Sequence, residues 1–321
     1  MRSTSVRLML SALFRAVQRN TGLSVTPSHF YFPVPDLQSL QVKDWTACRS
    51  CRAFDLRLGE QIQWVQEKLP QYASECAFPE VANGDAHKFH FNNGFFEHID
   101  AEVAYSFVRE RKPKRIIEIG GGNTTLTLCA ALRKNAEEGS PGELTCIQPN
   151  PAPFLKDGLH GMTQLIETGV QQVPLELFRT LQADDILFID SSHVVSIDND
   201  VLSEILDILP ELAPGVLVHF HDIFIPLDYP KKFVMTNLCF WSEQYLLQAF
   251  LSFNDQFKVV WASSAMQQYH PEVLRKAFPA WEGSFARMPP ELKVFAPTLD
   301  EKNVWPCSFW ITRSARGPIS R

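Results

Sequence analysis

The sequence predicts an α/β protein built on a mostly parallel β-sheet with helices on both faces. Three observations predict it. Short apolar runs of strand length alternate with longer runs of helical periodicity between residues 100 and 262. The first strand-like run, Arg115–Ile119, passes directly into Gly120, Gly121 and Gly122. Polar residues then stand just after the carboxyl ends of several strands, where open parallel sheets bind their ligands.

Composition sets the outer bounds. The chain has 321 residues, 45% hydrophobic and 21% charged, enough to bury a sizeable core. A net charge of -6 argues against a nucleic-acid surface, which needs a basic stripe. Seven cysteines in no scaffold pattern read as the reduced thiols of a cytoplasmic protein. No apolar run reaches the length of a membrane span.

The N-terminal extension, residues 1–90, gives mixed signals. Arg2, Arg7, Arg15 and Arg19 accompany Val6, Met9, Leu10, Leu13 and Val17 at helical spacing, with no acid among the first twenty residues. That pattern fits a terminal amphipathic helix packing on the domain, or an organellar transit or interfacial helix; Arg15 interrupts the apolar segment a secretory signal needs. Pro27, Pro33 and Pro35 mark extended or turn segments, and a helix covers Leu58 to Leu69 before Pro70. Cys48 and Cys51 form a C-x-x-C pair, which is half a zinc site. Cys76, His87 or His90 can complete it; two unrelated thiols are the plain alternative.

From residue 91 to 264 the elements alternate. Asp100 to Arg111 is a helix with Val103, Ala104, Phe107 and Val108 on its apolar face and Asp100 as its cap. The buried strand 115–119 follows, then the glycine turn, then a helix over 124–135 capped by Asn123, Thr124 or Thr125. Strands follow at 143–147, 163–166, 186–189 and 216–220, with a helix at 197–209. Trp241 to Phe253 is an amphipathic helix, 257–261 a sixth strand and 308–312 a last one, ahead of the tail ending at 321. Residues 265–307 form a proline-rich insertion suited to covering a substrate.

The glycine turn narrows the ligand. A dinucleotide fingerprint needs a third glycine where Thr125 stands, which disfavours a nicotinamide-dependent oxidoreductase. A phosphate loop fails because no Gly-Lys-Ser/Thr follows. Glu118 is an acid inside a strand of isoleucines; a carboxylate there must be solvated or paired, so it is expected to face a polar ligand. Gln148 follows the second strand and can hydrogen-bond a diol. Gln171 and Gln172 meet an adenine or simply face solvent.

Past the fourth strand, Asp190 and His193 lie three residues apart, and His193 is a natural general base for a hydroxyl. A cap or packing role for His193 is the plain alternative. His221 and Asp222 follow the fifth strand. Asp190, His221 and Asp222 together make a candidate divalent-metal site, against which stand ordinary hydrogen-bonding and capping roles.

E-I-G-G-G-N-T-T at 118–125, Asn93 to Asp100, I-D-S-S-H at 189–193, H-F-H-D-I-F-I-P-L-D-Y-P at 219–230, W-S-E-Q-Y-L-L-Q-A-F-L at 241–251 and Ser308 to Arg313 together resemble class I S-adenosylmethionine-dependent methyltransferases. Within that family they are similar to a bacterial "methyltransferase domain" branch. More distantly they resemble metal-dependent sugar O-methyltransferases of macrolide biosynthesis and cephalosporin hydroxylase-like proteins. The resemblance implies a Rossmann-like, seven-stranded sheet, mostly parallel with an antiparallel last strand. It implies that Glu118, Gly120, Gly121, Gly122, Asn123, Thr124, Gln148 and Asp190 hold S-adenosylmethionine. It implies catalysis by His193 with Asp190, and a magnesium or manganese ion on Asp190 and Asp222. Gln148 stands where methyltransferases carry an acid for the ribose hydroxyls, and His221 stands where the sugar enzymes carry a metal-binding acid, which leaves the metal open.

The expected function is therefore S-adenosylmethionine-dependent methyl transfer to a hydroxyl of a small molecule or sugar. The alternative is a non-catalytic ligand- or partner-binding protein on the same fold.

Overall fold

In a computed structural model of the chain, described for residues 4–24, 31 and 33–314, two compact units appear, Met1–Asp44 and Trp45–Arg321. The first contains a helix, Thr4–Thr21, as its spacing predicts, and a short 3₁₀ turn, Ser39–Val42. Among the described residues no helix is long and apolar enough to cross a membrane.

The second unit holds a seven-stranded sheet. Its strands are β1 (Arg115–Ile119), β2 (Glu143–Ile147), β3 (Gln164–Ile166), β4 (Ile186–Ile189), β5 (Leu217–Phe220), β6 (Phe257–Ala262) and β7 (Phe309–Arg313). They lie in the order β3-β2-β1-β4-β5-β7-β6. β1 to β5 run parallel; β7 runs antiparallel to both β5 and β6. This is the Rossmann-like sheet with an antiparallel last strand that the motifs led us to expect. The chain order reverses between β1 and β4, so a crevice opens at their carboxyl ends.

Both faces of the sheet are covered, which explains the near-continuous apolar runs. On one face Ile116, Leu144, Ile186, Leu217 and Trp310 pack with the helices Asp100–Arg111 and Asn123–Glu137. On the other, Ile117, Ile119, Leu187, Ile189, Val218 and Ile311 pack with Ile205, Ile208, Leu247 and Leu251. Strand alternation places Glu118 on the first face, beneath the start of the 123–137 helix.

Local chemistry shifted several boundaries. The 58–69 helix ends at Glu67 and the 241–253 helix spans Glu243–Leu251. The helix expected at 197–209 begins at Asp200 and continues as a π-turn over Ser203–Ile208 and a 3₁₀ turn to Glu211. Asp100 does not cap its helix. Glu102 does so by accepting from the Ile99 N–H at 2.8 Å, while the buried Asp100 carboxylate accepts from the Ser263 hydroxyl and from the N–H groups of Cys307 and Ser308 at 2.6, 2.7 and 3.0 Å. Asp100 thus fastens the 100–111 helix to the entry of β7. Asp100→Ala leaves three buried donors without a partner and is expected to cost about 3 kcal/mol, measured by urea denaturation; a cost below about 1 kcal/mol would contradict the latch.

Candidate functional site

The sheet ladder extends one residue beyond the strands and lines up the polar row. Gln148 donates its N–H to the Ile166 carbonyl, Gly120 to Ile147, Asp190 to Ile119 and His221 to Ile189, at 2.8–3.0 Å. Because β7 runs the other way, its start lies at this same edge, where Ile223 donates to the Cys307 carbonyl. One row therefore gathers residues from β1, β2, β4, β5 and β7.

The glycine turn has two sides. Gly120 has φ +87°, and a Cβ there would stand 1.7 Å from the Asp190 carbonyl oxygen. A Cβ on Gly121 would stand 2.2 Å from the Cys146 sulfur. On Gly122 it would meet nothing within 4 Å, so the main chain there is open to a ligand. Asn123 begins the helix behind it. Gln148 donates to the Gly121 carbonyl at 3.1 Å and braces the turn. Gln172 is held by Thr168 at 2.5 Å, and both Gln171 and Gln172 are exposed.

Glu118 corrects the expectation. It is fully buried and does not face open space; Thr124 and Thr125 donate their hydroxyls to its two oxygens at 2.5 and 2.7 Å. Asn123, Thr124 and Thr125 are accordingly not N-caps; Gly122 holds that position, and its N–H donates to the Thr125 hydroxyl at 3.0 Å. Burial raises the Glu118 carboxyl to about 8 against the pull of the two hydroxyls. A carboxyl whose pKa is higher folded than unfolded loses stabilisation as pH rises, here from its ordinary 4.5 up to about 8. Glu118→Gln should remove that slope: the wild-type urea midpoint falls between pH 5 and pH 8, and the variant's falls less. Equal slopes would contradict the buried, protonated state.

The reactive cluster lies at the ends of β4 and β5. His193 and Asp222 both adopt left-handed backbone angles, φ +61° and +54°, uncommon outside glycine though Asp and His accept them more readily than most. The His193 ring is buried, with Nδ1 on Glu243 at 2.8 Å and Nε2 at 3.5 Å from both Asp190 and Asp222. The ring of Trp241 packs beside it, centroids 4.6 Å apart. His193 does not cap a helix through its side chain.

His221 presents Nδ1 to the same two carboxylates, 3.6 Å from Asp190 and 3.8 Å from Asp222. Its Nε2 faces Cys307 at 3.7 Å and Asp100 at 3.9 Å. Burial alone would lower both imidazoles. The surrounding carboxylates reverse this, holding His193 well above its ordinary value and His221 at about 9. The same imidazoles overcome burial at Asp190 and keep it well below the usual carboxylate range. His219, by contrast, stacks on Phe188 at 3.7 Å and bonds Ser308 inside the core.

Asp190, His193 and Asp222 bring one ligand atom each within 4.8 Å of one another, as do Asp100, His221 and Cys307. Separations of 3.5–3.8 Å are long for hydrogen bonds and suit ligands that share one ion. Cys48, Cys51, Cys76, His87 and His90 enter neither group. The structure adds Glu243, Trp241, Asp100 and Cys307, which sequence reasoning left outside the site.

A cavity of about 310 Å³ opens over this cluster. Asp190, His193, His221 and Asp222 form one side, and Phe95, Phe233, Trp241 and Phe295 form much of the remainder.

Residues 117–223 match a family described as "Methyltransferase domain". An uncharacterised protein of Archaeoglobus fulgidus is 29% identical over 180 residues, covering 53% of this chain and 80% of that one. An O-methyltransferase from Bacillus cereus crystallised with SAH aligns over 94% of this chain and 97% of its own, at 11% identity and a TM-score of 0.37. A methyltransferase from Geobacter sulfurreducens aligns over 64% and 89%, at 15% identity and a TM-score of 0.32.

Proposed function

We propose that this chain, whose residues 117–223 match a family described as "Methyltransferase domain", is a class I S-adenosylmethionine-dependent methyltransferase that methylates a hydroxyl on a small molecule, with His193 as the general base. The observation that supports this most is the His193 geometry. Glu243 engages Nδ1 and so leaves Nε2 between Asp190 and Asp222, in the lining of the cavity.

Gly120, Gly121 and Gly122 with Asn123 and Gln148 suit the donor, because the open main chain at Gly122 adjoins a turn braced by the Gln148 amide. Thr124 and Glu118 act from beneath, fixing the helix start. S-adenosylmethionine supplies a methyl group already activated by its sulfonium. What remains for the protein is alignment and removal of one proton. Holding the hydroxyl in line is worth several powers of ten, and His193 Nε2 takes the proton as the oxygen is methylated.

Asp190 and Asp222 suit a divalent cation; His193 Nε2 is grouped with them, and His221 Nδ1 lies 3.6 and 3.8 Å from the same carboxylates. A cation held there would lower a hydroxyl's pKa and orient it. It would also offset two of the three carboxylates, Asp190, Glu243 and Asp222, that hold the His193 imidazole above its ordinary value. Dialysis against EDTA should cut turnover at least ~10-fold, with recovery on adding magnesium or manganese; undiminished turnover would remove the ion from the proposal.

Glu243→Gln keeps the packing and weakens the charge behind His193. Turnover should fall roughly 10-fold with little change in donor affinity. A non-catalytic binding role is disfavoured by the four titratable side chains held at one cavity. Mass spectrometry of hydroxylated acceptors incubated with donor and enzyme tests the transfer: a gain of one methyl group with release of S-adenosylhomocysteine is expected, and no product across the panel would overturn it.

A further inference from the structure

From the distribution of polarity around the cavity we infer that the acceptor is a neutral aromatic alcohol, a phenol, rather than a sugar or a hydroxy acid. The inference rests on the methyl-transfer reading above and names its substrate class. The acidic and imidazole side chains that line the cavity form one polar cluster, Asp190, His193, His221 and Asp222. Its other polar side chains already donate elsewhere: Ser191 to Glu204 at 3.0 Å, Ser192 to Asp200 at 2.6 Å and Asn237 to the Val294 carbonyl at 2.8 Å. A polyol needs donors and acceptors around its whole rim, and a site that leaves ligand hydroxyls unpaired rejects them.

No side chain is left to pair an acceptor's own carboxylate. The cavity's two carboxylates, Asp190 and Asp222, already face the imidazoles of His193 and His221, and among the described residues no lysine or arginine lines it. The neighbouring Lys232 is turned away, with its ammonium on the Lys293 carbonyl and over the Phe285 ring at 5.3 Å.

Aromatic side chains make up much of the rest of the lining. Phe95 and Phe295 stack with centroids 5.2 Å apart, and they stay 54% and 50% exposed. Trp241 is held upright between His193 and Phe233, at 4.6 and 5.2 Å. Exposed aromatic pairs beside a cavity mark a surface that a ligand covers. Rings of this kind favour a flat, apolar partner, and the small volume suits one or two fused rings. The hydroxyl would meet the polar cluster and the ring would lie against the aromatic lining.

The test is calorimetric binding to the full chain in the presence of S-adenosylhomocysteine, with 2-naphthol, 6-hydroxy-2-naphthoate and methyl glucoside as probes. Naphthol should bind, the naphthoate at least ~10-fold more weakly, and the glucoside not detectably. The variant carrying Phe95→Ala and Phe295→Ala should lose about 10-fold in naphthol affinity and keep its affinity for S-adenosylhomocysteine. Tighter binding of the glucoside or the naphthoate, or an unchanged naphthol affinity in that variant, overturns the inference. The two readings fail differently. Naphthol binding without a methylated product overturns transfer alone; methylation of the glucoside overturns the phenol alone.

Discussion

Replacing His193 with asparagine is expected to lower methyl transfer by about 10²–10⁴-fold while leaving the affinity for S-adenosylhomocysteine within about twofold. Asparagine tolerates the left-handed backbone at this position and can still donate towards Glu243. It lacks the second nitrogen that faces Asp190 and Asp222. The loss would therefore report the base and not a disturbed loop. His193→Ala should show a similar loss of turnover together with reduced stability, because it leaves the buried Glu243 unpaired. Steady-state rates and calorimetry on both variants check this. Equal losses in turnover and donor affinity would argue that His193 positions the donor instead.

The second large effect concerns the glycine turn. Gly120→Ala would drive a Cβ into the Asp190 carbonyl while holding an unfavourable backbone angle. We expect a loss of at least ~4 kcal/mol, among the largest a single substitution produces. The strain would also separate the ends of β1 and β4, where the row of site residues begins. Gly122→Ala is the informative companion. Its backbone is extended, φ -175°, and its Cβ meets no protein atom, so the thermal midpoint should hold. If the donor lies on the open main chain there, affinity for S-adenosylhomocysteine should fall by at least ~10-fold. Full affinity in Gly122→Ala would move the donor away from this turn.

Much of the fold could be read from the sequence because parallel strands leave a plain signal. Ile116, Ile117 and Ile119, or Ile186 to Ile189, are covered on both faces, and charge or glycine ends each run. The rule that ligands gather at the carboxyl edge then led to Gly120, Asp190, His193, His221 and Asp222, which the ladder does bring into one region. Glu118 was misplaced because alternation gives the face of a strand residue but not what covers it. Here the covering groups are the hydroxyls of Thr124 and Thr125.

Other residues left no local trace. Glu243 lies 50 residues from His193 and Cys307 lies 86 from His221, so only the tertiary fold makes them neighbours. Asp100 carried a capping signal that Glu102 fulfils, which freed it to fasten β7. The π-turn at Ser203–Ile208 delivers Glu204 beneath Ser191, and a period of 3.6 cannot anticipate it. The aromatic lining unites Phe95 with Phe295 from far apart in the chain, without any repeating pattern.

Titration of the full-length chain with S-adenosylhomocysteine by calorimetry tests the central claim most directly. Saturable binding at one site per chain is expected, weakened in Gly122→Ala and retained in His193→Asn. Absence of binding by the wild-type protein would contradict methyl-donor use and, with it, the role assigned to the glycine turn.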